Sequence, residues 1–158
     1  MARTRKVNPQ LWNEKSFETL STDSQLVFLF LLTHPHMTSL GAMRATLLGL
    51  AMELFGSFHR FYVAIEVLRK QGLVKYDVAA CLVWLPTFLQ HNPPGSPNAV
   101  KSWARILNAL PECPLRKQLI RQVKQFVLSL SPAFQRAVPA VLSPFCLEID
   151  RLIQALAE

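Results

Sequence analysis

Apolar residues along this chain come in blocks whose spacing changes with position. Leu26 to Leu32 is apolar throughout, so the helix predicted from Asp23 to about Thr33, with Ser21, Thr22 and Asp23 as caps, must run through a core. Pro35 ends it. Upstream, Trp12, Phe17 and Leu20 supply the apolar side of a short amphipathic turn. Gly41 to Arg44 reads as a short strand, and Thr46 is placed to cap a helix from Leu47 to Phe55 that Gly56 separates from the next. Between Ser57 and Gln71, Phe58, Phe61, Ile65 and Leu68 fall on one helical stripe, and Gly72 follows as a C-terminal stop.

Two short apolar runs, Leu73 to Tyr76 and Cys81 to Trp84, then flank Asp77 to Ala80, a length suited to a hairpin. Gln90 to Pro97 is too rich in proline for a helix or a central strand and reads as a rigid connector. Beyond it, Asn98 is the expected cap of a helix from Ala99 to Leu110 that buries Val100, Trp103, Ile106, Leu107 and Leu110. Pro114 restarts the chain, and Leu115, Leu119, Val123, Phe126 and Leu130 form the next stripe. Ser131-Pro132 and Ser143-Pro144 repeat the start signal, for a short helix near Phe134 to Leu142 and a last one from Phe145 to Leu156.

The order strand, helix, helix, hairpin is that of a winged helix-turn-helix. The expected fold class is therefore mainly α within α+β, with a small β-hairpin wing and a C-terminal helical extension. Its expected divisions are a winged-helix domain with a basic arm over 1–92, a Pro-rich connector over 93–98, and a helical extension over 99–158 packed on the same core.

Composition narrows the function classes. A chain of 158 residues, 51% apolar, is about one domain in size and needs no cross-links to bury a core. Its 17 Lys and Arg against 10 acids favour a polyanionic partner. The charge is concentrated, with seven Lys or Arg against one acid over residues 101–136 and one against three over 137–158. No run approaches the ~20 apolar residues that cross a bilayer, and the basic start leads into no apolar signal segment, so the expectation is a soluble cytoplasmic protein with no membrane partner.

Catalysis finds little footing. There is no GxSxG, no P-loop and no pair of carboxylates in an apolar cleft pattern, so neither an enzyme nor a cofactor is expected. Cys81, Cys113 and Cys146 read as reduced core residues. His34, His36, His59 and His91 lack zinc spacing with them, and His34-Pro35-His36 reads as a loop with two exposed histidines, so no metal is expected.

A winged helix of this charge is expected to bind double-stranded DNA. On the helix from Ser57 to Gln71, the face opposite the apolar stripe carries His59, Arg60, Val63, Glu66 and Lys70, with His59 and Arg60 in the first turn, where base edges are read. Arg3, Arg5 and Lys6 read as a flexible basic arm for a minor groove. Arg44, Lys75 on the wing, Lys101, Arg105, Lys117, Arg121 and Lys124 complete the set of expected DNA contacts. The stripe Phe145, Ile149, Leu152, Ile153 and Leu156 either closes the core or joins a second copy into a homodimer.

The opening ARTRKVNPQLWNEKSFETLSTDSQLVFLFLL resembles the start of winged-helix replication proteins encoded by bacteriophages and prophages, through Arg3, Arg5, Pro9, Trp12 and Leu20-Ser21. The block IEVLRKQGLVKYD, Ile65 to Asp77, and the exit segment LVWLPTFLQHNPPGSPNAVKSWARILNALPECPL, Leu82 to Leu115, are similar to the same group. What the resemblance implies is DNA binding in replication initiation or replisome organisation inside a bacterial host. It also raises a replicative helicase or another host protein as a second partner. The larger initiators carry a further helicase-contacting domain, whereas this chain continues only about forty residues past the resemblance. Two alternatives use the same module: a transcriptional regulator, and a phage adaptor or inhibitor that docks on a host complex.

Overall fold

A computed structural model describes residues 4–138 of the chain. The last expected helix, Phe145 to Leu156, lies outside the described residues, as do Arg3 and Cys146. The protein is mainly helical with one small antiparallel sheet, an α+β architecture.

A 3-10 turn over Pro9–Asn13 and the short α1 (Lys15–Glu18) lead to α2 (Thr22–Thr33). Ser21 starts α2, its hydroxyl accepting the Ser24 N–H at 3.2 Å. Val27, Phe28, Leu31 and Leu32 bury the middle of the helix, as an unbroken apolar run requires. Thr46 caps α3 (Leu47–Leu54) and Ser57 caps α4 (Phe58–Lys70), each accepting the N–H three residues on. Both α2 and α3 pack against α4. Inside the α2–α4 contact the buried Ser24 hydroxyl donates to the Ala64 carbonyl at 3.2 Å, so the polar group there is satisfied.

The sheet comprises β1 (Ala42–Arg44), β2 (Lys75–Asp77) and β3 (Leu82–Trp84), with β3 in the centre. Val83 faces Met43 on one side and Tyr76 on the other. The turn from Val78 to Cys81 closes through the Asp77 carboxylate, which accepts the Ala80 N–H at 2.9 Å, and through Cys81, left-handed at φ 51°. Gly41 enters β1 at φ 74° where a Cβ would lie 2.2 Å from Phe88 Cβ. Only glycine fits there.

After α5 (Phe88–His91) come α6 (Pro97–Ala109), α7 (Pro114–Leu128) and α8 (Pro132–Gln135), all three beginning on a proline whose missing N–H costs nothing at that position. Ser96, not Asn98, caps α6, since its hydroxyl accepts the Ala99 N–H. Cys113 caps α7 through its sulfur, and α8 ends at Gln135, while positions 139–142 of the helix expected near 134–142 lie outside the described residues. Buried residues from Leu11 to Ala137 form one cluster that includes Trp103 and Leu107 of α6 and Leu119 and Val123 of α7.

Several side chains depart from expectation. Leu11 takes the core position expected of Trp12, which stands exposed and edge-on to Phe17 at 5.2 Å. Cys81 and Cys113 are half-buried, because turn and cap roles hold them at the surface. His34 is buried: its Nδ1 accepts the His36 N–H at 3.1 Å, which leaves Nε2 to donate to Glu53 Oε2 at 3.0 Å.

Candidate nucleic-acid interface

The packing of α4 decides which of its residues a ligand meets. Contact with α2 and α3 takes Phe61, Ala64, Ile65 and Leu68, and leaves the first two turns open beyond them. Phe58, expected on the buried stripe, is 42% exposed and stacks on Tyr62 with ring centres 5.6 Å apart. Its place at the very start of α4 puts it past the edge of the α2 contact. His59, Arg60 and Val63 are exposed, as are Leu48 and Met52 on α3. A groove of about 260 Å³ runs between α3, α4 and the hairpin, lined by Leu48, Phe58, Tyr62, Tyr76 and Val78 among others. Its walls are chiefly apolar and aromatic.

Two ion pairs lock this surface. Arg60 Nε and Nη2 donate to the two carboxylate oxygens of Asp23 at 2.8 and 2.7 Å, and the guanidinium lies 4.2 Å from the centre of the Phe55 ring. The hydrogen bonds from Arg60 hold the Asp23 carboxyl below its ordinary range and raise Arg60 in return. Glu66 accepts from Arg69 Nε and Nη2 at 2.8 and 2.9 Å and from the Tyr76 hydroxyl, which ties the hairpin to α4. Arg69 first, then Tyr76, draws the Glu66 carboxyl down to about 2. Burial first, then Glu66, pushes the Tyr76 hydroxyl up.

The remaining cations divide into exposed and committed. Arg44 ends β1 in the open, and Lys70 is exposed in the last turn of α4. On α6 and α7, Lys101, Arg105, Lys117 and Arg121 are exposed, whereas Lys124 is 7% exposed and sits on the buried arc with Ile120, Val123 and Val127. That arc is wider than the sequence stripe because α8 also packs on α7. Lys124 therefore does not extend the basic face. Lys75 turns from the hairpin toward α7, where Nζ donates to Gln118 Oε1 at 3.1 Å and lies 5.5 Å from the Trp84 ring centre.

Nor is the N-terminal segment a free arm from Arg5 onward. The Arg5 guanidinium donates to the Met37 carbonyl and lies over the Phe88 ring at 5.4 Å. Lys6 is fixed through its backbone: its N–H donates to Asn92 Oδ1 at 2.8 Å, and Asn92 Nδ2 donates to its carbonyl at 3.1 Å.

Sequence reasoning overlooked Asp23, Tyr62 and Tyr76 at this surface. No local signal links Asp23 to Arg60, 37 residues on. The Glu66–Arg69 pair, by contrast, has helical i,i+3 spacing and was readable. Among the described residues, four acids are held in pairs with Arg60, His34, Arg69 and Arg116, and none of these pairs includes Lys101, Arg105, Lys117 or Arg121. Uncompensated positive charge thus gathers on α6 and α7.

Among the described residues no group of three His, Cys, Asp or Glu is arranged to hold a metal, and no helix is long and apolar enough to cross a membrane. Compared with protein-family models, curated proteins and solved structures, the chain matches none.

Proposed function

We propose that residues 22–84 form a winged helix that binds double-stranded DNA, with a role in phage or prophage replication initiation as the sequence resemblance implies. The observation that carries this reading is the open first two turns of α4, Phe58 to Val63, standing between α3 and the hairpin in the order α2, β1, α3, α4, β2, β3. In that order α4 is the helix offered to a major groove and the hairpin lies beside the phosphates. His59 and Val63 face the bases, Val63 through the apolar contact a thymine methyl accepts. Arg60 sets the angle of α4 against α2 through Asp23. Lys6, Arg44, Lys70, Lys101, Arg105, Lys117 and Arg121 are the exposed cations available for phosphates.

Fluorescence anisotropy with a labelled duplex over a salt series tests the reading. Affinity should fall steeply as salt rises, because each neutralised phosphate releases counterions. Absence of binding at low salt removes it.

A second reading has an observation of its own. Phe58, Tyr62, Val63, Leu48 and Met52 expose more apolar surface than base reading uses, which favours an adaptor that docks on a host protein through α3 and α4. Tyr62→Ala would then abolish capture of that partner while leaving duplex binding intact.

A further inference from the structure

A groove of about 190 Å³ opens between α5 and α7, where Leu40, Trp84, Leu89, Val123 and Phe126 form an apolar wall. The rest of its lining is Pro86 and three glutamines, of which Gln122 donates from Nε2 to the Pro86 carbonyl. Among the described residues no charged side chain lines it. Phe126 is half-buried, with one side packed on the core cluster. A wall of this chemistry favours an apolar side chain over an ion.

The size of the groove sets the class of its occupant. An apolar cavity of about 150 Å³ takes one benzene molecule, so this groove has room for a single aromatic ring and little more.

The chain carries such a ring within reach. The second half of α7 forms one wall, α8 turns back to pack on α6 and α7, and Val138, the last of the described residues, packs against the core. Residues 139–158 lie outside the described residues, and their sequence places the start signal Ser143-Pro144 before the stripe Phe145, Ile149, Leu152, Ile153 and Leu156. The chain from Val138 to Phe145 spans at most about 25 Å. That exceeds the length of α7, whose 15 residues rise about 22 Å. Charge acts in the same direction. Residues 137–158 hold three acids against one Arg, while residues 101–136 hold seven Lys or Arg against one acid, so the segment is attracted to the surface it departs from.

We propose that the Phe145 ring of the same chain seats in this groove, with Ile149 and Leu152 following onto the half-buried Phe126. The stripe is thereby used within one copy, where it closes the core. The tether holds the segment at an effective concentration of about millimolar, which a second copy at micromolar concentration does not reach. No residue of α4 lines this seat, and it does not depend on DNA binding.

Nuclear Overhauser contacts in the full chain test it. The Phe145 ring protons should show contacts to the methyl groups of Leu40, Leu89 and Val123, and these contacts should lie within one copy in a mixture of labelled and unlabelled protein. Phe145→Ala should lower the melting temperature by about 5 °C or more, whereas Leu147→Ala, off the stripe, should stay within about 2 °C of the parent. Contacts seen only between copies overturn the proposal in favour of a paired stripe. Contacts from Phe145 to Leu48 and Tyr62 instead, no contacts to the groove, or equal melting temperatures for the two variants also overturn it.

Discussion

Arg60 and Asp23 are joined by two parallel hydrogen bonds of 2.8 and 2.7 Å that tie the first turn of α4 to the first turn of α2. The side of the guanidinium that does not face the carboxylate lies against Phe55, so the residue expected to read a base is instead engaged within the protein. Both partners remain at the surface, where such a pair contributes little to stability and exchanges with other anions.

That exposure makes Asp23→Asn informative. Losing the carboxylate frees Arg60 for a phosphate or base edge, and duplex affinity should rise, with the log affinity against log salt slope steepening by about one. Anisotropy over a salt series checks this. An unchanged slope would confine Arg60 to setting the angle of α4.

The clamp between α4 and the hairpin should respond to acid. Glu66 has its carboxyl drawn down to about 2 in the folded protein from an ordinary 4.5, so the stability it contributes is present above about 4.5 and lost as pH falls toward 2. Glu66→Gln should be less stable than the parent at neutral pH and should lose less stability over that acid window. Parallel melting curves of the two proteins across it measure the difference, and curves separated by a constant amount would count against the clamp.

Phe58 and Phe61, three positions apart on α4, should behave in opposite ways. Phe61 is fully buried, and Phe61→Ala should cost about 3–5 kcal/mol through lost burial and the cavity left behind. Phe58 is exposed, and Phe58→Ala should stay within about 0.5 kcal/mol, while reducing whichever ligand α4 presents itself to. Chemical denaturation reads the first contrast and a binding titration the second.

The basic side of α7 should act as two charges. Lys117→Gln with Arg121→Gln should flatten the salt slope of duplex binding by about two, whatever the duplex sequence. Adding Lys124→Gln should leave that slope unchanged and alter only stability, because Lys124 sits in the buried arc of α7. A further loss of one in the slope would return Lys124 to the DNA-binding face.

Element by element, much of the fold was legible before any coordinates. Ser21 and Thr46 announce α2 and α3, Pro114 and Pro132 announce α7 and α8, and Gly56 and Gly72 close helices at positive φ, whereas α6 begins at Pro97, inside the expected connector. The hairpin strands were expected one to two residues early at their starts, because Leu73, Val74 and Cys81 carry strand-like side chains, whereas the Leu73 N–H bonds back to Leu68 of α4 and Cys81 turns at positive φ. Phe17, Phe28, Phe61 and Trp103 fall in the core where periodicity places them.

The site was much less legible. Arg5, Lys6, Arg60 and Lys75 were identified as basic, yet whether each is open or committed depends on Met37, Asn92, Asp23 and Gln118, all at least 32 residues away. His34 is hidden in the same way by Glu53 of α3, 19 residues on, and Lys124 by the wider buried arc of α7. By itself the sequence determined where helices start and stop, which residues have the size and apolarity for a core, and where positive charge accumulates, since these follow from backbone geometry and from neighbours within one helical turn. Only the tertiary structure decided which side of α4 is open, that its open side is aromatic, and which cations have no counter-charge, because a side chain's exposure and partners are set by elements that arrive from elsewhere in the chain.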